Sequence, residues 1–385
     1  MRMTRRAFAA GSLVSLSVSA GSANAGASGE ALDGNSSREM PFAEVLQRSE
    51  KAFSRATKKG LPGAVVSVAF PSKRPVSIAY GLANADTEEA MQTGMWLRLG
   101  SISKLFVGHI ALRLSDDGIL DLDAPVSTFR DDVPHGDMIA VRRLGNHTSG
   151  IYNPIESSDF RAVINRQPDR TISRDEMLAV AWSNAKPASA IGTFSYSNAN
   201  TSLLADIVEK ATKKSISTLI REFFDGESES SIVRFPAGAL PQNSSRGYRF
   251  GPNPPGVEYG KHFFDATAFS PSWADAAGDL SGRASDVLIA AQKIIQGEGL
   301  SQSAKALQRD FISVSDDFDY GFCLARYRGV LGHAGDVPGF SGFVGMRPED
   351  GLSVCILTNL SNFAGGSSPA SQMAADIFGD VAKAN

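Results

Sequence analysis

Cysteine is nearly absent. The 385 residues hold two, Cys323 and Cys355, each inside an apolar run that reads as a strand. Both are expected in the core; an exported chain could join them in a disulfide, but the fold would not depend on it. Five histidines are scattered, and no Cys-x-x-Cys or His-x-x-x-His pair occurs. A metal centre has no support from spacing, and no cofactor is expected. Long basic runs are also missing, and the formal net charge is −3. A chain without a cationic face does not neutralise phosphates, which argues against nucleic acid as a partner. No apolar segment after the first few dozen residues is long enough to span a bilayer, so stable membrane insertion is not expected. No internal repeat is visible.

What is present begins at the N-terminus. Thr4-Arg5-Arg6-Ala7-Phe8 is a short basic segment, followed by an apolar, small-residue stretch from Ala9 to about Ala20. Ala23-Asn24-Ala25 then offers a small-x-small cleavage site. This order reads as a secretory signal over residues 1–25, of the twin-arginine type. Removing it takes away Arg2, Arg5 and Arg6 and no acid, so the mature chain is more acidic still. A periplasmic or secreted protein is expected. Residues 26–40 are rich in Gly, Ser and Ala and read as a flexible mature terminus. Residues 41–385 are expected to form one domain.

Along that domain, Phe42, Val45, Leu46 and Phe53 fall at helical spacing. Two short β-rich runs follow, Ala64 to Phe70 and Pro75 to Tyr80, joined by a turn at Pro71-Ser72-Lys73-Arg74. Ile102 to Leu114 reads as a buried helix, stopped by Asp116-Asp117-Gly118. Glu176 to Lys214 is mostly helical. Residues 226–270 lose periodicity and read as a long irregular excursion. Tyr248, Tyr259, Phe263 and Phe264 in it are able either to line a cleft or to pack the excursion onto the body. Trp273 to Ile295 returns to helix. Three strand-like runs come next, Tyr320 to Arg328, Gly342 to Met346 and Leu352 to Leu357, and a helical tail begins near Ser371. Strands thus lie at both ends and helices in the middle. The simplest packing is α+β: one sheet from the two ends, flanked by helices, with a helical insertion at roughly 120–270.

The chemistry lies in small motifs. A serine hydroxyl is a weak nucleophile until a base takes its proton. The Gly-x-Ser-x-Gly signal of a histidine-based site is absent. The lysine solution needs Ser-x-x-Lys on a helix, because spacing i, i+3 puts both side chains on one face. Burial then lowers the lysine pKa, and a neutral amine accepts the proton. Two stretches fit, Ser101 to Lys104 and Ser183 to Lys186. Ser101 opens an apolar helix, where its backbone N–H is placed to stabilise an oxyanion. Ser183 ends a helix and Lys186 precedes Pro187, so that copy reads as an exposed coincidence. Tyr196-Ser197-Asn198 is the one Tyr-x-Asn in the chain. A phenol near a cationic lysine is expected to have a lowered pKa and to pass a proton to a leaving group. Alone, this stretch reads equally as a turn with Asn198 capping the next helix. His333-Ala334-Gly335 is the one His-x-Gly, in a Gly-rich segment whose edge is suited to pairing with an extended substrate. Alone, it is a loop histidine.

Together and in this order, the three motifs resemble the serine penicillin-recognising enzymes. That family includes D-alanyl-D-alanine carboxypeptidases, class C β-lactamases, D-aminopeptidases and related esterases. Asp121-Leu122-Asp123-Ala124-Pro125, Asn146-His147-Thr148-Ser149-Gly150 and Trp273 to Gly278 match its habits too, so the likeness covers roughly residues 42–380. It implies an antiparallel sheet flanked by helices with a helical subdomain, and a site between them. Ser101 would attack a carbonyl and form an acyl-enzyme. Lys104 and Tyr196 would share the proton transfers, and Asn198 would hold the substrate amide. The N–H groups of Ser101 and Asp336 would form the oxyanion hole, with His333 and Gly335 beside the substrate. His147 would be structural.

The substrate class is less sharply marked. β-Lactamases of this type usually carry Lys-Thr-Gly where this chain has His333-Ala334-Gly335. A fixed positive charge for a substrate carboxylate is therefore missing, since histidine is near neutral at pH 7. Carboxypeptidases of the family often place an arginine on the preceding strand. Ala325 holds that place, with Arg326 facing the other way and Arg328 as a possible substitute. The leading expectation is a peptidase or amidohydrolase of the carboxypeptidase-like type, acting on small peptides. A carboxylesterase with the same machinery comes second. A dedicated β-lactamase, or a silent binding protein on this scaffold, comes last.

Overall fold

The structure, a computed structural model, describes residues 42–224, 240–251, 263–364 and 366–379, with the backbone of 232–234. The leader and the 26–40 terminus lie outside the described residues, as does Tyr259. The chain opens with α1 (Phe42–Lys58), then β1 (Gly63–Ala69), β2 (Val76–Asn84), β3 (Glu89–Ala90) and β4 (Leu97–Arg98). Helices α2 (Ser103–Asp116), α3 (Arg142–Gly145), α4 (Ser158–Arg166), α5 (Arg174–Ser183), α6 (Asn198–Thr212) and α7 (Ile216–Phe224) follow. Short strands β5 (Ile232–Arg234), β6 (Tyr248–Phe250), β7 (Phe263–Asp265) and β8 (Leu280–Gly282) lead to α8 (Ala284–Gln296) and α9 (Gln302–Gln308). The C-terminal part supplies β9 (Ile312–Ser315), β10 (Phe318–Tyr320), β11 (Ala325–Tyr327), β12 (Val330–Val337), β13 (Phe340–Met346), β14 (Ser353–Thr358) and α10 (Pro369–Phe378).

Nine of these strands form one antiparallel sheet, in the order β3-β2-β1-β14-β13-β12-β11-β10-β9. Its middle is a pairing of the two chain ends, running from Ala64 opposite Thr358 to Ala69 opposite Ser353. The period of two decides which core each residue enters. Val65, Cys355 and Leu357 join the large core on the side of α2 and α8. Ala64, Val66, Val68, Val354 and Ile356 join a second core under α1 and α10. Both faces are covered, so β1, β13 and β14 are buried along their whole length. That is why they read as continuous apolar runs rather than as alternating ones. Both cysteines are buried and free. Among the described residues no helix is long and apolar enough to cross a membrane.

Several elements differ from the sequence reading. The run from Tyr320 to Arg328 is two strands, broken where Cys323 takes a left-handed φ of 51° and donates its N–H to the Gly145 carbonyl. The Gly-rich segment carrying His333 is itself a strand, β12, paired along its length with β13. Gly332 and Gly335 removed the β-branched signature that would have shown it. Trp273 to Ile295 is not one helix. Pro271–Ala277 is a 3₁₀ segment kinked at Asp275, and β8 separates it from α8. The described parts of 226–270 hold short strands and irregular segments and no helix. Tyr248 is 2% exposed, takes the Ala85 N–H on its hydroxyl and packs against Phe263. These rings pin the excursion to the body instead of lining a cleft.

Helix α2 is apolar on every side because it is enclosed on every side. Gly108 on it faces Cys323, with no room for another atom: an added Cβ would overlap the Cys323 Cβ. Helix propensity alone favours alanine there by about 1 kcal/mol. Overpacking a rigid contact costs about 1–3 kcal/mol. Gly108→Ala is therefore expected to lower the urea midpoint; an unchanged or raised midpoint would show that this contact is loose.

Candidate active site

Two glycines let backbone touch backbone at the centre of the molecule. Gly100, with φ of 54°, opens the 3₁₀ turn Gly100–Ile102 that leads into α2. A Cβ on it would come within 2.7 Å of the Asp336 nitrogen and 2.9 Å of the Gly335 carbonyl carbon. A Cβ on Gly335 would overlap the Leu99 carbonyl and lie 2.7 Å from the Ser101 nitrogen. The turn carrying Ser101 is thus pressed against β12 with no side chain between them. The nitrogens of Ser101 and Asp336 flank this contact.

Lys104 follows one helical turn after Ser101 and is completely buried. Its Nζ lies 2.9 Å from Ser101 Oγ, 2.8 Å from Asn198 Oδ1 and 2.9 Å from the Ala277 carbonyl oxygen. Burial pushes its pKa down to about 7, so the neutral amine is abundant at physiological pH. A neutral amine has two N–H groups and one lone pair. Asn198 Oδ1 and the Ala277 carbonyl only accept, so they take the two N–H groups. The lone pair is left facing the Ser101 hydroxyl, the orientation a proton acceptor needs.

Tyr196 stands beside this pair. Its ring centroid is 5.0 Å from Lys104 Nζ, and its phenol hydrogen-bonds Ser101. The expected lowering of its pKa does not occur. Burial pushes the phenol far above its ordinary value, and the hydrogen bond to Ser101 offsets this only in part. Lys104, with a pKa near 7, is only partly cationic and does not offset this burial. Tyr196 therefore holds its proton, which it can donate and recover but does not give up to solvent.

Asn198 is the first residue of α6, where Ser197 holds the cap position without a side-chain cap bond. The Asn198 side chain turns to Lys104 rather than capping the helix. Its backbone N–H goes to Asn153 Oδ1 at 3.2 Å. His147 lies under the Tyr196 ring, 4.3 Å between centroids, fully buried and with φ of 57°. Its Nδ1 faces Asn200 Nδ2 at 2.9 Å and its carbonyl takes the Ser195 N–H. The turn around it fixes the strand of chain that carries Tyr196.

His333 is placed differently from the expectation that it contacts substrate. It is 3% exposed, with Nε2 on the Tyr320 hydroxyl at 3.0 Å and Nδ1 on the Ala334 carbonyl at 2.6 Å. Burial and the nearby Lys104 push its pKa down to about 3, so it is neutral. The imidazole is sealed between strand and tyrosine and presents neither surface nor charge to a substrate. The two arginines considered for a substrate carboxylate also point elsewhere. Arg326 bonds Asp319 at 2.7 Å and lies over the Phe311 ring, and Arg328 reaches Asp317 at 2.6 Å. Ala325 is fully buried. In the second Ser-x-x-Lys, Ser183 is exposed and donates to the Ala179 carbonyl, and Lys186 donates to Ser195 Oγ. Those two side chains do not meet.

Two participants escaped the sequence. The Ala277 carbonyl holds Lys104, and a backbone oxygen leaves no trace in residue identity. Ala277 ends the 3₁₀ segment whose Asp275 adopts φ of 43°, a conformation costly for any residue but glycine. Arg174 at the start of α5 grips the Asp275 carboxylate from Nε at 2.7 Å, and Glu209 from Nη1 at 2.6 Å. This clamp offsets the strain and fixes the Ala277 carbonyl. Among the described residues no group of His, Cys, Asp and Glu is placed to hold a metal.

A family model described as Beta-lactamase matches residues 46–375. The chain belongs to the beta-lactamase family. It is 26% identical to a putative penicillin-binding protein, PbpX of Bacillus subtilis, over 83% of this chain and 76% of that one. It is 28% identical to esterase EstB of Burkholderia gladioli, over 83% and 92%. A D-stereospecific amidohydrolase from Streptomyces sp. shares its fold, with a TM-score of 0.73, 23% identity and coverage of 87% and 97%. The beta-lactamase-type fold, with its large antiparallel sheet and packed helices, is that of the serine hydrolases of this family, and the chain is an enzyme of that kind.

Because a neutral amine is the working form, kcat/KM is expected to rise with pH and level off above about 7, falling about tenfold per unit below it. A flat profile between pH 5 and 9 would remove Lys104 as the base. Arg174→Ala is expected to lower kcat at least tenfold, since it removes the Arg174 ion pair from the Asp275 carboxylate, which is 9% exposed. It should also move the acid limb to higher pH as water reaches Lys104, with Arg174→Lys restoring part of both. A lower yield of active enzyme with an unmoved limb would mean that the clamp serves folding alone.

Proposed function

We propose that this protein hydrolyses small amides, peptides among them, through an acyl-enzyme on Ser101. The observation that carries this reading is the three-way setting of Lys104 Nζ. Two carbonyl acceptors consume its N–H groups and aim its lone pair at the Ser101 hydroxyl. Lys104 takes the proton as Ser101 Oγ bonds to the substrate carbonyl carbon. The developing oxyanion sits between the N–H groups of Ser101 and Asp336. Loss of one such donor costs on the order of 3 kcal/mol of barrier. Tyr196, kept protonated by burial, delivers a proton to the departing amine and recovers one from Lys104. Asn198 Nδ2 is left to hold the acyl side of the substrate. Water then adds to the acyl-enzyme by the reverse relay and releases the acid.

A strict D-alanyl-D-alanine carboxypeptidase is not the best fit. Such a substrate ends in a carboxylate. Arg326 and Arg328 are tied to aspartates, Ala325 is buried and His333 is neutral. An amidohydrolase that leaves the C-terminal carboxylate unread fits better. A second reading, a carboxylesterase, is favoured by the likeness to EstB along nearly its whole length. Export through the segment around Arg5 and Arg6 is part of the proposal, and would put the enzyme where cell-wall peptides are found.

Product analysis by mass spectrometry separates the readings. The protein and Ser101→Ala would be incubated in parallel with an amino acid amide, a D-Ala-D-Ala pentapeptide and a short-chain ester. Ser101-dependent release of ammonia from the amide is the expected result. Ester cleavage with no amide or peptide turned over would make it an esterase. Ser101-dependent loss of D-Ala as the fastest reaction would restore the carboxypeptidase reading.

A further inference from the structure

We propose that the side chain of Asp336 sets the charge preference of the site, admitting acyl groups that carry an ammonium near the scissile carbonyl and rejecting those that carry a carboxylate. The inference rests on the hydrolase reading above and deepens it to a substrate class.

Asp336 follows directly on the contact between Gly335 and the nucleophile turn. Its own nitrogen lies beside the Gly100–Ser101 backbone, so its Cα is a single bond from a group that faces the reacting carbonyl. Along β12 the side chains alternate. Gly335 faces the nucleophile turn, while Ala334 and Asp336 face the side of α10. There the Asp336 carboxylate bonds Ser368, the cap residue of α10. The neighbouring edge is open. The last residue of β12 to pair with β11 is Gly332, opposite Ala325. From His333 onward β12 meets no other strand on that side among the described residues. An extended acyl chain laid along this edge passes the carboxylate.

Two properties of the group point to a concave site. Water reaches it, for the residue is exposed, yet surrounding protein pushes its carboxyl up to about 7. The group is thus reachable by water and closely flanked by protein. Its field extends to the centre, since it raises the pKa of the Tyr196 phenol, which bonds Ser101. It also acts on Tyr327, whose hydroxyl accepts the Ala334 N–H. No described cation balances it there. Lys104 is only partly charged and hydrogen-bonded elsewhere, His333 is neutral, and Arg326 and Arg328 are engaged with Asp319 and Asp317. An ammonium entering the cleft supplies the missing charge and draws Asp336 back to its ionised form. A carboxylate entering it meets repulsion or must protonate.

The test uses three amides with one leaving group and acyl parts of matched shape: phenylalanyl, 3-phenylpropionyl and benzylsuccinyl. The first is cationic, the second neutral, the third anionic. The readout is the ratio of kcat/KM values, in the protein, in Asp336→Asn and in Asp336→Glu. The protein should favour the cationic over the neutral substrate, and the neutral over the anionic, by about tenfold each, the size of one partly screened charge pair. In Asp336→Asn the spread should collapse to within threefold, and Asp336→Glu should keep it. Equal proportional losses on all three in Asp336→Asn would make the carboxylate an anchor for α10 and overturn the proposal. So would a protein that turns over all three without preference, leaving the hydrolase reading intact. Failure to turn over any of them in a Ser101-dependent way would sink both.

Discussion

A lysine side chain held entirely out of water, with its nitrogen among neutral oxygens, is the constraint on which the rest of this molecule depends. Transferring an ammonium from water into such a place is costly, and the group answers by giving up its proton. Helix α2 must then be buried on all sides, which requires a sheet on one flank and a bundle of helices on the other. Tyr196 and Asn198 come from one stretch of the chain and the Ala277 carbonyl from another far downstream, yet they converge on one nitrogen. The neutrality spreads outward. His147 and His333, both buried near Lys104, are pushed down by burial and by its residual charge. The interior of the site therefore holds almost no net charge.

The second requirement is contact between two main chains. Ser101 and Asp336 bring their nitrogens together only because Gly100 and Gly335 carry no Cβ. These glycines serve close approach, and in Gly100 a left-handed φ as well. Rigidity at this contact comes from behind. Strands β12 and β13 pair over seven positions, and Ile102 packs against Gly342 from the turn. Two donors meant for one oxyanion, as proposed for these nitrogens, have to be stiff, since solvent would otherwise relax around the charge better than the protein does.

Much of this was legible in the residues. Ser101 and Lys104 announce themselves by spacing and by the apolar helix they open, and the Ser183 copy was separable by the same context. The strands at both ends implied one sheet, and the register from Ala64 to Thr358 is that sheet. Other features have no sequence signal. A carbonyl such as that of Ala277 is anonymous. Arg174 and Asp275 are a charged pair a hundred residues apart, visible only once folded. The burial of His333 also could not be read, because a histidine in a Gly-rich stretch looks like a loop. Tyr196 shows a different limit. The expected fall in its pKa assumed a fully cationic lysine, and burial of the phenol itself outweighs the partial charge that Lys104 keeps.

The pairing of β1 with β14 has a consequence in time. The strand that starts the sheet waits for a partner nearly three hundred residues downstream, and synthesis must pass Thr358 before the two can join. Until then one flank of β1 exposes unpaired N–H and carbonyl groups, and apolar side chains such as Val65 and Val66 lack their cover. Long-range pairing of this kind slows folding and prolongs the interval in which such an edge can capture another chain. A ribosome-bound chain is thus committed late. The middle helices have time to assemble first, and the Gly100–Ile102 turn meets Gly335 and Asp336 only when the last strands arrive.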